Sequence, residues 1–399
     1  MAAEKPRRLL WALSPMFRIN WLTGIAPTPF EENVKPNKWT TSFNYLVYAA
    51  ILLLSTYLAW RIPIEKLNSD DAVDESEWIK NLWCLLDIIT CVSCGCIYLL
   101  KHSSVRRLFI AISEIQRGLA KDFSFDIQRI RRFVEIQLLL WIIMGVNLGV
   151  LSWRSIKVNG IFTMAAYTEV IIEYFTFVQL QLAWQFFMAV FLLRKCISGF
   201  NLEIRSWLPA CQVKETRSIS RLKQQFLEAY KTSKWIEGIY GICNVIFCLH
   251  DLLRMSFLLY SSWDGRIYTP SGEKDVIAEL STSFWILSSH CVLVVALYFG
   301  ENLYAESDKT GKLVSEMILK VKDHRIRREL HLFSLQLLHT KFHFTACGFF
   351  PLDFTLLTSM AAAVVTYLVI LVQFQESEKA VTKLSCNCSH NILTENGTM

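Results

Sequence analysis

Two polar–aromatic pairs, Thr366-Tyr367 and Gln373-Phe374, stand seven residues apart in an apolar run near the end of the chain. Seven residues make about two helical turns, so Thr366 and Gln373 share one stripe and Tyr367 and Phe374 share its neighbour. Counting back by threes and fours, the first stripe runs through Ile370 and Ala363 to Ser359. On a helix surrounded by lipid, such small and polar side chains should face protein or water. Two arrangements satisfy this. The stripe packs against a neighbouring helix, or several copies around an axis make it the lining of a pore with a narrow outer end. Glu376 and Glu378 follow directly. Under fourfold symmetry they would ring the outer mouth with carboxylates and concentrate cations; an ordinary solvated tail is the alternative.

A second set of reactive side chains interrupts the other apolar stretches: Trp83, Asp87, Tyr167, Glu169, Glu173, Asp251, Arg254, Trp285 and Ser289. An ionised group near the middle of a bilayer costs roughly 2.5–3.5 kcal/mol on insertion scales, so these charges should face the bundle interior or water. Apolar and aromatic walls with a few placed polar groups are the make-up of a small-molecule pocket. The expected ligand site is an outward-opening pocket lined by Trp83, Asp87, Tyr167, Glu169, Arg254, Trp285 and Ser289. The competing reading makes Asp87, Glu173, Asp251 and Arg254 structural ion pairs. Other chemistries find less support. His339 and His343 are spaced as metal ligands on a helix, with His331 further back, yet no carboxylate completes a site. Packed or solvated histidines fit better. Cys84, Cys91, Cys94 and Cys96 cluster around Gly95, where small residues let helices approach closely. There is no HExxH and no phosphate loop, so no catalytic constellation, metal or cofactor is assigned.

The elements that would hold these residues are membrane spans. Hydrophobic residues make up 53% of the 399 and charged ones 19%, and the apolar excess falls in discrete blocks. These run at 43–60, 81–100, 136–153, 174–193, 238–263, 280–300 and 354–374, most of them near the ~20 residues a helix needs to cross. Two apolar run-ins, 161–173 and 344–353, are expected to lengthen the fourth and seventh helices. No cleavable leader is visible; 43–60 can act as a signal anchor.

Charge orients the spans. Lys and Arg number 31 in the segments 1–42, 101–135, 194–235 and 301–343, against 9 in the alternate ones. The positive-inside rule therefore puts the N-terminus in the cytoplasm and the C-terminus outside. A basic face of this kind meets anionic lipid heads and is no sign of nucleic-acid binding. Both N-x-S/T sequons, at Asn387 and Asn396, fall in the C-terminal segment assigned to the outside. The expected architecture is an all-α integral membrane protein of seven transmembrane helices. A cytoplasmic segment 1–42 carries an interfacial helix within 9–25, or a loosely ordered tail. The transmembrane domain spans 43–374. Helices four to seven extend into a cytoplasmic anchor, about 194–235 and 301–352, and 375–399 form an extracellular tail.

The segment TYLVILVQF at 366–374 fits the TYhhhhhQF signature of insect gustatory receptors, where h is hydrophobic, and TACGFFPLDFTLLTSM at 345–360 resembles that family's entry into the seventh helix. Length, span number and topology resemble it as well. The resemblance implies a tetrameric, ligand-gated, non-selective cation channel in the plasma membrane of chemosensory neurons. In that family four seventh helices line the pore, and the inner ends of helices four to seven join the subunits. Gln373 and Phe374 take the gate positions, with Thr366 and Tyr367 below. Partners would be a small-molecule tastant, membrane lipid, and identical subunits or other gustatory receptors. Sugar-sensing members tend to carry Glu directly after the motif Tyr; Leu368 stands there and favours a bitter or other non-sugar ligand. A sugar receptor of the same family and a membrane transporter are the alternatives. A G-protein-coupled receptor would need the opposite topology, a D-R-Y triplet and an N-P-x-x-Y, and a transporter would favour paired, broken helices.

Overall fold

The computed structural model describes residues 4–22, 75–119, 126–159, 164–208, 216–264 and 276–395, with Ser42, Leu46, Ala49, Leu53 and Tyr57. Eight helices lie within the continuous stretches: α1 Glu4–Leu22, α2 Glu75–Gly118, α3 Ile127–Asn159, α4 Met164–Trp207, α5 Thr216–Asp264, α6 Val276–Lys320, α7 His324–His339 and α8 Phe354–Glu395. The five separate residues are helical, exposed and spaced by threes and fours, so they lie on one face of the expected first span.

Helices α2, α4, α5 and α6 have 44, 44, 49 and 45 residues. At 1.5 Å per residue they are about 65–75 Å long, more than twice a ~30 Å hydrocarbon layer. The extension of α4, α5 and α6 matches expectation; that of α2 to Gly118 was not expected, because its last turns are basic and amphipathic. Among the described residues three segments are long and apolar enough to cross a membrane: Phe177–Trp207, Thr216–Ser256 and Phe354–Gln373.

A helix that is apolar on every side belongs in the middle of a bundle, and α4 does. From Val178 to Leu193 every residue but the half-buried Trp184 is buried. Its most extensive contact is with α6, followed by α2 and α5, and Phe187 and Phe191 both meet Phe299 of α6 edge-on. Helix α1 is docked as well. Leu9, Ala12, Leu13, Met16 and Phe17 are buried where α1 packs on α3 and α2. A chain of buried amides fixes it: Gln137 of α3 donates to Gln181 of α4 at 2.7 Å, and Gln181 donates to Asn20 at 2.6 Å.

The basic end of the bundle is tightly interlocked. Phe226 of α5 packs with Phe200, Phe333 and Phe342. Asn201 of α4 donates to the Glu306 carboxylate of α6 at 2.9 Å and accepts from Thr310 at 2.7 Å. Burial raises the Glu306 carboxyl, but hydrogen bonds from Asn201 and Lys309 and the charges of Lys309 and Arg194 outweigh it, leaving it below the usual carboxylate range. Arg221 of α5 reaches Glu203 of α4 at 2.6 Å. Asp323 caps the start of α7 by accepting from the Arg325 N–H, and Ile326, Leu330, Phe333 and Leu337 form its buried face.

The run-in 344–353 does not lengthen the last helix. It folds as a short hairpin, with Ala346 N donating to Phe350 O and Leu352 N to Phe344 O, both at 2.9 Å. Cys347 and Gly348 have φ of 52° and 81°, and Phe349 N closes the turn on Ala346 O at 3.0 Å. Two left-handed central residues make this a type I′ turn. Asp353 then caps α8, accepting from Thr355 N at 2.9 Å. At its far end α8 does not stop at Phe374 but continues to Glu395. The segment expected as a tail is therefore helical, and Asn387 lies on that helix. Asn396 lies outside the described residues.

Candidate pore helix and ligand pocket

The hairpin is the foot of α8, and three helices grip it. Glu237 of α5, itself bridged to Lys234 at 2.8 Å, accepts from Thr345 N at 2.8 Å and also from the Thr345 hydroxyl. Gly241, one turn further, lets the apex in: a Cβ there would lie 2.9 Å from Cys347 Sγ. From α4, Phe186 meets Phe344 edge-on at 5.6 Å, and His343 stacks on Tyr304 of α6 at 4.1 Å. That stacking corrects the helical histidine pair. His339 ends α7, so His343 lies beyond the helix, and His331 and His339 are exposed.

Above the foot, α8 touches its own chain along a narrow ridge of Leu356, Met360 and Val364, four residues apart on one face. Only 17% of its apolar window is buried, against 83% for that of α4, although it is the more apolar of the two. Ser359, Thr366, Ile370 and Gln373 are exposed, Ala363 is half-buried, and Tyr367 and Glu376 are exposed. The hydroxyls bond back into the helix, Ser359 Oγ to Thr355 O at 2.9 Å and Thr366 Oγ1 to Ala362 O at 2.8 Å. The stripe thus presents a polar surface with its hydroxyl donors already satisfied. The side chains of Phe374 and Glu378 lie outside the described residues.

Of the expected pocket residues, Trp83 sits on α2 with Asp87, Tyr167 on α4 with Glu169, and Trp285 on α6 with Ser289; their side chains lie outside the described residues. Arg254 on α5 is half-buried, and its Nη1 is buried without a hydrogen-bond partner. Asp251, one turn back, meets Nε2 of His290 on α6 at 3.3 Å and is almost fully buried. His290 was missed by sequence reasoning because the pairing depends on the register of α6 against α5. The buried glutamines Gln179, Gln181 and Gln185 of α4 were missed too, although three amides in one apolar span are a signal a reader could use.

Residues 13–378 match the family model described as 7tm chemosensory receptor. Gustatory receptor 23a of Drosophila melanogaster is 40% identical over 92 residues, 23% of this chain and 24% of the relative. The gustatory receptor for sugar taste 43a of the same fly is 43% identical over 72 residues, 18% of this chain and 17% of the relative. The alignments with the first four curated relatives span between 11% and 24% of those proteins. In three dimensions the chain is similar to the insect olfactory receptor OR5 of Machilis hrabei, solved in complex with eugenol. The TM-score is 0.67 at 12% identity, covering 91% of this chain and 98% of that one.

Proposed function

Because this chain belongs to the 7tm chemosensory receptor family, we propose that it works as a ligand-gated, non-selective cation channel of the gustatory kind. The family is one of membrane receptors and not of enzymes. The observation that carries the channel reading is the uncovered stripe of α8. Ser359, Thr366 and Gln373 face away from their own chain on the most apolar of the three described membrane-length segments. One subunit alone would leave the Gln373 amide against lipid, which is unfavourable. Four copies around an axis would turn the same stripe into a water path, with Ala363 and Ile370 between the polar rungs.

In this reading the N-terminus is cytoplasmic, Gln373 and Phe374 form the gate beside Tyr367, and Glu376 and Glu378 ring the outer mouth. The ligand is a non-sugar tastant held among Trp83, Asp87, Tyr167, Glu169, Arg254, Trp285 and Ser289. The basic end is the anchor between identical subunits or other gustatory receptors at the plasma membrane, and glycans at Asn387 or Asn396 would mark the outer side. A sugar ligand is the second reading, favoured by the similarity to the sugar-taste receptor and opposed by Leu368.

Expressing the chain alone and recording currents against bitter compounds and sugars tests the proposal. Large ligand-evoked currents reversing near zero support a channel. Stoichiometric uptake without such current supports a transporter instead, and the effective compounds decide the ligand class.

A further inference from the structure

Helices α6 and α7 are joined by a short turn and pack together. A cavity of about 420 Å³ lies between them, within the size range of small-molecule sites. One wall is the face of α6 from Tyr304 to Ser315, with Asp308 and Lys312 between, at helical spacing. The cleft is open at Gly311, where a Cβ would meet nothing within 4 Å. Its floor is apolar, with Phe226 of α5 and Leu337 of α7 buried. Its rim is polar. Lys312 pairs with Asp308 at 2.8 Å, and Lys341, beyond α7, lines the same cavity. The hydrogen bond from Lys312, helped by the charges of both lysines, holds the Asp308 carboxyl below the usual carboxylate range. The Ser307 and Thr340 hydroxyls bond back to Tyr304 O at 2.7 Å and Gln336 O at 2.9 Å. Those of Ser315 and Ser334, also on the lining, make no hydrogen bond among the described residues. The cleft adjoins the foot of α8, because Lys341 leads into the hairpin and His343 stacks on Tyr304.

We propose that this cleft binds a phosphorylated polyol, with its phosphate on Lys312 and Lys341 and its hydroxyls on Asp308, Ser315 and Ser334. Lysine binds phosphate as a compact point charge, and two ammonium groups match the roughly two negative charges of a phosphate monoester. The carboxylate beside them would repel a bare anion. It suits a ligand that also brings O–H donors, and the two unbonded serine hydroxyls can donate or accept. Phe226 and Leu337 offer the carbon skeleton an apolar surface. Two sources present this chemistry: a soluble sugar phosphate, and the inositol phosphate head of a membrane lipid. The sixth apolar stretch ends at residue 300, so Tyr304 lies about 6 Å and Lys312 about 18 Å further along α6. A lipid head would therefore enter from the Tyr304 end. Placing the site in the cytoplasm rests on the proposed orientation of the chain; binding itself does not. A ligand held between α6 and Lys341 ties α6 to the segment that leads into the foot of α8.

The test uses the purified full chain. Its melting temperature in detergent is read with inositol monophosphate and with glucose monophosphate, each against the unphosphorylated parent. The lipid arm compares nanodiscs holding phosphatidylinositol monophosphate with nanodiscs holding phosphatidylinositol. A rise of at least about 2 °C with a phosphorylated probe and not with its parent is expected, and a response in one arm alone identifies the source. Titration should show binding at least about tenfold weaker in Lys341→Met and in Gly311→Leu, which fills the cleft without changing its charge. Lys322→Met, at an exposed lysine in the turn after α6, leaves the affinity unchanged. Hydrogen exchange across 344–353 should slow at least about threefold on binding. No rise with any phosphorylated probe overturns the proposal. Equal weakening in Lys341→Met and Lys322→Met overturns it too, since that marks unspecific charge. Binding with unchanged exchange overturns the tie to the foot. Wild-type melting decides even where a variant fails to fold. No readout uses current, so failure of the channel reading would leave the result standing.

Discussion

The basic end of the bundle and α8 are built in opposite ways. At the basic end aromatic rings, a capped helix and cross-helix hydrogen bonds build an apolar core within one subunit, with Phe200, Phe226, Phe333 and Phe342 all buried. Helix α8, which holds the most apolar of the three described membrane-length segments, is held among the described residues by a hairpin foot and one ridge. A helix so apolar and so little covered takes its solvent from lipid or from other copies. The difference separates two properties: stability is concentrated where the chain packs on itself, and conduction where it does not.

The largest effect should come from the interlocked region. Phe226 is fully buried among Phe200, Phe333 and Phe342, so Phe226→Ala should cost about 3–5 kcal/mol. Thermal melting of detergent-solubilised protein, followed by size-exclusion of the folded fraction, checks it. Ile370→Ala on the uncovered face of α8 should cost under about 1 kcal/mol in the same assay. Equal losses would erase the contrast.

The hairpin foot joins the two regions and should show an intermediate effect. Gly241→Val would put a Cβ 2.9 Å from Cys347 Sγ and 3.3 Å from its backbone nitrogen, and overpacking of this kind costs about 1–3 kcal/mol. Gly238 has nothing within 4 Å of such a Cβ, so Gly238→Ala should stabilise α5 by about 0.5–1 kcal/mol. Opposite shifts in melting temperature from two glycines one turn apart would locate the foot on one face of α5. Shifts of the same sign would dissolve it.

The sequence made the three apolar membrane-length segments and the lengthening of α4, α5 and α6 readable, because each is a statement about periodicity or composition along one segment. The hairpin was hidden because its left-handed positions are Cys347 and Gly348, and a run as apolar as 344–353 looks like helix. Partners across helices were hidden for a related reason. Asp251 and Arg254 share a face of α5 and read as a pair, yet Asp251 meets His290 on α6. The register between two helices is set by packing, which no single segment carries. For the pocket, only the backbone placement of six of its seven residues can be compared.

Acid should loosen the basic end before it touches α8. The Glu306 carboxyl lies below the ordinary carboxylate range when folded, so the charged form is favoured by folding. The stabilisation is complete above the unfolded pKa, near 4.3 for glutamate, and is lost as pH falls through the lower folded value. The melting temperature should fall below about pH 4.5, and Glu306→Gln should flatten that fall while lowering stability at neutral pH. An unchanged acid limb in the variant would remove Glu306 from the account.

The smallest effect on stability should be Thr366→Val, and there the contrast is sharpest. Thr366 is exposed and its hydroxyl bonds to Ala362 O of its own helix at 2.8 Å, so removing it leaves no partner elsewhere in the subunit unpaired. The two residues have nearly the same shape, and in lipid the methyl replaces a hydroxyl that made no tertiary contact. The melting temperature should therefore move by less than the equivalent of about 0.5 kcal/mol. If the stripe lines a pore, four such substitutions replace a ring of polar oxygens with a ring of methyls, and a dry constriction impedes ions. Single-channel conductance should fall severalfold while surface expression stays level. If conductance is unchanged, the stripe faces lipid or a packed neighbour. If conductance and melting temperature fall together, Thr366 is a structural contact between copies, and the separation of stability from conduction fails at the residue where it should be cleanest.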